Sequence, residues 1–165
     1  MKHGTVLLAD SHSPMLEGVR SLLEERFESV VMVADESSLL PTAEKLQPDL
    51  VIVDVSFPMT GTKNAVVVLR ERFPEMQLIV LSVHDEFVAV DRVLANGASA
   101  FVLKRCATTD LVPALEEVSA GRVYVSPAAR MRRDGPREED RAPVSRSTSE
   151  VGEEPGPGNG VDREQ

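Results

Sequence analysis

The sequence has 165 residues, a formal net charge of −9, only 4% aromatic residues and no tryptophan. That length suits one ordinary domain with an aliphatic core, and the negative balance disfavours non-specific attraction to nucleic acid or anionic lipid. A single cysteine, Cys106, excludes an internal disulfide framework and fits a reducing compartment. With no signal peptide and no apolar run of about 18 residues, a soluble, cytoplasmic protein without a membrane partner is expected.

Residues 5–9 (TVLLA) form a short apolar run that ends at Asp10. The next stretch, SHSPMLEGVRSLLEERF, offers Ser13 as an N-cap and Pro14 at the first helical position, with Met15, Leu16, Val19, Leu22, Leu23 and Phe27 at helical spacing. A second strand is expected over residues 30–34. A weaker helix comes after it, over roughly residues 38–47, where Pro41 is tolerable only in the first turn and Pro48 is a stop. Residues 49–53 give a third strand that runs into Asp54. A helix is expected over residues 63–73, closed by Pro74. MQLIVLS reads as the fourth strand, EFVAVDRVLANG as the fourth helix with Gly97 as its stop, AFVL as the fifth strand and TTDLVPALEEVSAG as the fifth helix. Several of these helices are rich in valine, so packing rather than propensity must hold them.

Five strands alternating with five helices predict an α/β fold, a doubly wound five-stranded parallel sheet covered on both faces, because each strand is a continuous Val/Ile/Leu run. Composition changes after Ser126. Ten of the last 39 residues are Pro or Gly, and none is Leu, Ile or aromatic. The expected organisation is a domain over residues 1–126 and a disordered tail over residues 127–165, with room for a short regular piece near residues 128–133. A chain cut after Ser126 is therefore expected to melt at nearly the temperature of the whole.

In doubly wound sheets, ligands sit beyond the C-terminal strand ends. Here those ends carry Asp10, Asp54, Ser82 and Lys104. Burying a carboxylate is costly, so an apolar strand ending in Asp54 points to a site. Two carboxylates at close quarters need a cation, for which a hard ion such as Mg²⁺ serves, and an ammonium and a hydroxyl beside it suit a phosphoryl group. Asp54 thus reads as a nucleophile or acceptor.

The stretches VLLADSHSPMLEGVRSLLE, PDLVIVDVSFP, FPEMQLIVLSVHD, NGASAFVLK and LVPALEEVSAGRVYVSP together resemble the receiver domain of two-component response regulators of the NarL/FixJ kind, over about three quarters of the chain. The resemblance implies a flavodoxin-like fold and a non-enzymatic phosphoacceptor in a phosphorelay, signalling through protein contacts. By that likeness Asp54 takes a phosphoryl group from a sensor histidine kinase or phosphotransfer protein. Asp10 belongs to the metal-binding acidic pair, and Asp54 and Ser56 (through its carbonyl) complete the Mg²⁺ partners. Ser82 is the switch hydroxyl, Phe101 the switch aromatic that turns inward on activation, and Lys104 the phosphate-contacting lysine. The resemblance implies an output protein without specifying which.

Three departures accompany the likeness. Ser11 stands where the family has a second acidic residue, which implies weaker Mg²⁺ binding and slower phosphorylation. Thr62 stands at the position of the usual glycine, with Gly61 one place earlier. The disordered tail replaces the helix-turn-helix domain, so no DNA binding is expected from this chain. An alternative reading is a degenerate receiver, a constitutive docking module with little or no phosphorylation.

Blander readings exist for single residues. Asp10 could cap a helix, Ser82 and Phe101 are commonplace in strands, and Lys104 with Arg105 could be a solvated basic pair. His12 and His84 have no Cys or His at ligand spacing, and Cys106 reads as a small inert residue. An aspartate-nucleophile phosphatase would place a second Asp where Ser56 stands. A nucleotide- or flavin-binding protein would need glycines in DSHSPM.

Overall fold

The computed structural model describes residues 3–11 and 16–133. In chain order the elements are β1 (His3–Ala9), α1 (Leu16–Arg26), β2 (Phe27–Val33), α2 (Glu36–Leu46), β3 (Leu50–Asp54) and α3 (Ala65–Arg72). They continue with β4 (Gln77–Ser82), α4 (Phe87–Ala95), β5 (Ala100–Leu103), α5 (Ala107–Ser119), β6 (Tyr124–Val125) and α6 (Pro127–Arg133). The sheet order is β2-β1-β3-β4-β5-β6, with every neighbouring pair parallel. This is the flavodoxin-like doubly wound arrangement, and the winding direction reverses between β1 and β3.

Alternation along the strands divides the core. Leu7, Val51, Val53, Leu78, Val80, Phe101 and Leu103 face α2, α3, α4 and α6. Val6, Leu8, Leu50, Ile52, Ile79, Leu81 and Val102 face α1 and α5. Each such aliphatic side chain contributes about 1.5–3 kcal/mol on full burial, which is what holds valine-rich helices of poor propensity. Gly97 ends α4 at φ 98°. A Cβ there would lie 2.9 Å from Arg70 Nε, and the Arg70 guanidinium donates to the Gly97 carbonyl at 2.6 and 3.1 Å.

Several boundaries differ from expectation for identifiable reasons. Phe27 opens β2 rather than closing the first helix, because α1 ends at Arg26 and the chain turns directly into the sheet. α2 begins earlier than expected, at Glu36, since the Asp35 side chain accepts the Ser38 N–H at 2.9 Å and caps it. Pro41 therefore sits beyond the first turn. It is exposed, so its missing donor costs one solvent-side bond. The expected helix start at Ser13 and Pro14 lies outside the described residues, as does His12.

The larger difference is at the end of the domain. Regular structure continues past residue 126, and α6 stands where the sequence leaves room for a short regular piece near residues 128–133. β6 adds a sixth strand beside β5, and α6 comes directly after it, with Ala129 fully buried against the α4 side of the core. Residues 134–165 lie outside the described residues. Cutting the chain after Ser126 is thus expected to lower the melting temperature by several degrees, since it removes Ala129 from the apolar cluster it shares with Phe101 and Val125. A calorimetric scan giving the parent temperature would show that α6 adds nothing.

Candidate functional site

The parallel register brings four strand ends to one edge. Ala9 pairs with Val53, Asp54 with Leu81, and Ser82 with Leu103. The next residues after β1 and β5 are Asp10 and Lys104, so Asp10, Asp54, Ser82 and Lys104 gather beyond the C-terminal edge. All four are buried: Asp10 is 5% exposed, Asp54 4%, Ser82 0% and Lys104 9%.

Lys104 organises the cluster. Its ammonium pairs with Asp10 Oδ2 at 2.9 Å and donates to Asp54 Oδ2. The other Asp54 oxygen, Oδ1, accepts the Ser56 N–H at 2.8 Å. The loop after β3 is thereby folded back on the Asp54 carboxylate, and Val55 N–H donates to the Leu81 carbonyl at 2.9 Å. Burial works against the Lys104 ammonium, but its bonds to Asp54 and Asp10 and their negative charge outweigh burial and hold its pKa above the ordinary value.

Ser82 Oγ accepts the His84 N–H at 3.0 Å, which leaves its own proton to give. His84 itself is exposed, 3.6 Å from Glu86. Arg105 points away from the cluster and pairs with Asp85 at 3.0 Å. Cys106 is a half-buried free thiol. The loop after β3 is held at a second point, where Thr60 N–H donates to Glu36 at 2.5 Å and holds that carboxyl below the usual carboxylate range. Phe101 is fully buried, between α4 and α6. The switch aromatic expected to turn inward on activation is already inward.

Sequence reasoning missed Ser126 as a site-related residue. Its hydroxyl accepts the Leu103 N–H at 3.0 Å, immediately before Lys104, and it is fully buried. The signal was the Ser126–Pro127 pair, a helix start with proline at its first position.

The donor set can be weighed against a divalent ion. Among the described residues no group of three or more His, Cys, Asp or Glu side chains is placed to hold a metal. Asp10 and Asp54 nevertheless turn one oxygen each to the same ammonium, so a common cation already suits them. Two carboxylates against one ammonium leave one negative charge. These hard oxygens fit Mg²⁺ with water completing its shell. A separate cavity of about 100 Å³ lies at the opposite, N-terminal edge of the sheet, lined by Arg26, Asp49, Gln77 and Glu116 among others. None of the four strand-end residues lines it.

Comparison with protein-family models matches residues 6–116 to the response regulator receiver domain. The chain belongs to the response regulator receiver family. Among curated relatives, this receiver is 32% identical over 124 residues to the transcriptional regulatory protein DegU of Brevibacillus brevis, covering 74% of this chain and 52% of that protein. It is 29% identical over 126 residues to the nitrate/nitrite response regulator NarL of Escherichia coli, covering 75% of this chain and 58% of the relative. The receiver thus spans just over half the length of these relatives. Among solved structures it is similar to the non-phosphorylated receiver domain of RcsB from Escherichia coli, with TM-score 0.69 and 28% identity, covering 76% of this chain and 99% of that one. It is also similar to the isolated RcsB receiver of Salmonella enterica serovar Typhimurium with phosphomimetic beryllium fluoride, with TM-score 0.71 and 26% identity, covering 78% and 97%. Among the described residues no helix is long and apolar enough to cross a membrane.

Proposed function

We propose that this receiver accepts a phosphoryl group on Asp54 from a histidine kinase or phosphotransfer protein in the cytoplasm. The observation that carries this reading is the buried Asp10–Lys104–Asp54 cluster at the sheet's C-terminal edge. An Asp54 oxygen forms a bond to phosphorus as the phosphorus–nitrogen bond of a phosphohistidine breaks. The imidazole leaves with the electron pair, and the product is an acyl phosphate. Lys104 meets the charge on the phosphoryl oxygens, while the Ser56 N–H holds the carboxylate in place. The Ser82 hydroxyl donates a hydrogen bond to a phosphoryl oxygen. Mg²⁺, held by Asp10, Asp54 and the Ser56 carbonyl, supplies further charge neutralisation when bound. The phosphorylated domain then signals by protein contacts to an output partner.

A second reading, a degenerate receiver acting as a constitutive docking module, is favoured by Ser11 in the place of a second carboxylate and by Lys104 already neutralising half of the acidic pair. Incubation with acetyl phosphate and Mg²⁺, with intact mass as the readout, separates the two. The proposed function expects the gain of one phosphoryl group, lost in Asp54→Asn. Continued labelling of Asp54→Asn would sink the assignment, and an unlabelled parent would favour the docking module.

A further inference from the structure

We propose that Ser126 is a positioning residue that couples the acceptor site to the seating of α6, so that a phosphoryl group on Asp54 unseats that helix; the inference rests on the function proposed above. The β5–β6 ladder runs through Tyr124 N–H to the Ser99 carbonyl at 3.2 Å and Ser126 N–H to the Phe101 carbonyl at 2.9 Å. A continued parallel ladder would next pair the Leu103 N–H with the Ser126 carbonyl. That carbonyl is taken instead by α6, accepting from Ala129 at 3.0 Å and Arg130 at 2.9 Å. The Ser126 hydroxyl substitutes for it and takes the Leu103 N–H at 3.0 Å. One residue therefore closes the last rung before Lys104 and starts α6.

The seat of α6 has two sides. Ala129, fully buried, shares one apolar cluster with Phe101 and Leu103 of β5 and with Val90 and Val93 of α4. Ser126 fixes α6 to the β5 side. The α4 side is connected to the acceptor site by a different route: His84 N–H donates to Ser82 Oγ, at the start of the loop that leads into α4. When the Ser82 hydroxyl turns to a phosphoryl oxygen, this loop moves with it. α4 shifts against β5, and a helix pinned to β5 loses the other half of its seat. Phe101 lies inward beneath that seat, so its cover and the state of Asp54 change together.

Linkage requires the reverse effect, that unseating α6 favours the phosphoryl-bound state. The test is hydrogen exchange of residues 129–133, read on a sample whose intact mass reports the phosphoryl group from acetyl phosphate and Mg²⁺. Those amides are expected to exchange about fivefold faster, or more, in the labelled chain. In Ser126→Ala that acceleration shrinks by more than about half, because the hydroxyl's bond to the Leu103 N–H is lost and only the backbone bond to Phe101 still ties the start of α6 to β5. Ala129→Glu leaves the Ser126–Leu103 bond in place and unseats α6; with Mg²⁺ it is expected to bind beryllium fluoride, a reversible mimic of the phosphoryl group, about fivefold more tightly than the parent. A labelled parent with unchanged exchange at residues 129–133, an undiminished acceleration in Ser126→Ala, or parental affinity in Ala129→Glu overturns the coupling while leaving the acceptor assignment standing. An unlabelled parent removes the acceptor assignment and the coupling with it.

Discussion

Replacing Lys104 by methionine is expected to lower the stability of this receiver by about 3 kcal/mol, or roughly 10 °C in melting temperature. The ammonium is the shared partner of two carboxylates that are themselves almost fully buried. Removing one member of a buried ion cluster leaves the others desolvated without compensation, which costs more than the cluster's net contribution to stability. Methionine retains the apolar stem and offers no proton, so the loss is electrostatic rather than a packing defect. The same change made in Asp54→Asn should cost about half as much, because only Asp10 is then left as a charge without its partner. Equal costs in both backgrounds, measured by urea denaturation, would show that Lys104 and Asp54 do not act as a pair. The pH dependence has a definite sign. The folded pKa of Lys104 is raised above 10.5, so its contribution is complete below that value and is lost as pH rises through the folded pKa. The difference between parent and Lys104→Met should accordingly persist through neutral pH and close only in strong alkali.

The second large effect concerns Mg²⁺. Ser11→Asp is expected to tighten Mg²⁺ binding by roughly ten- to a hundredfold, on the rule that each factor of ten is about 1.4 kcal/mol. Asp10, at the end of β1, is buried, whereas its neighbour Ser11 is exposed. A carboxylate at position 11 would add one negative charge and one hard oxygen beside a cluster whose net charge is a single negative unit. Two unit charges at contact distance interact by on the order of a few kcal/mol at an effective dielectric near 20. Repulsion from Asp10 and Asp54, and the water that the new ligand displaces, remove part of that gain. Phosphorylation should speed up and need less Mg²⁺. Titration monitored by NMR or by the emission of Tyr124, the lone tyrosine, reads the affinity. An unchanged affinity would mean that position 11 does not limit this site.

The sheet was legible because parallel strands buried on both faces must be continuous aliphatic runs, and IVD, LIVLS and AFVL are such runs. The four strand-end residues were legible for the complementary reason: a charge or hydroxyl closing such a run has no structural purpose in the core. The features that were not legible depended on three-dimensional register. The pairing of one ammonium with both carboxylates requires Lys104 to reach back over β3, which the types and order of the residues do not state. The inward Phe101 depends on the helices packed over that side of the sheet, α4 and α6 among them, whose placement the sequence does not state. β6 is only two residues long, too short for any periodicity. The Ser126–Pro127 start signal was outweighed by the Pro- and Gly-rich composition of the C-terminal residues. At α2, the expectation that Pro41 must lie in the first turn put the start near residue 38, and the hydrogen bond from Ser38 N–H to Asp35 sets it at Glu36 instead.

The proposed phosphoryl group on Asp54 can be located chemically by treating the chain with acetyl phosphate and Mg²⁺, reducing it with borohydride, which converts an aspartyl phosphate to the alcohol, and mapping the modified residue by peptide mass. Reduction at residue 54 alone is the expected result. A reduced residue at any other aspartate, or a labelled chain in which residue 54 is unmodified, would contradict it.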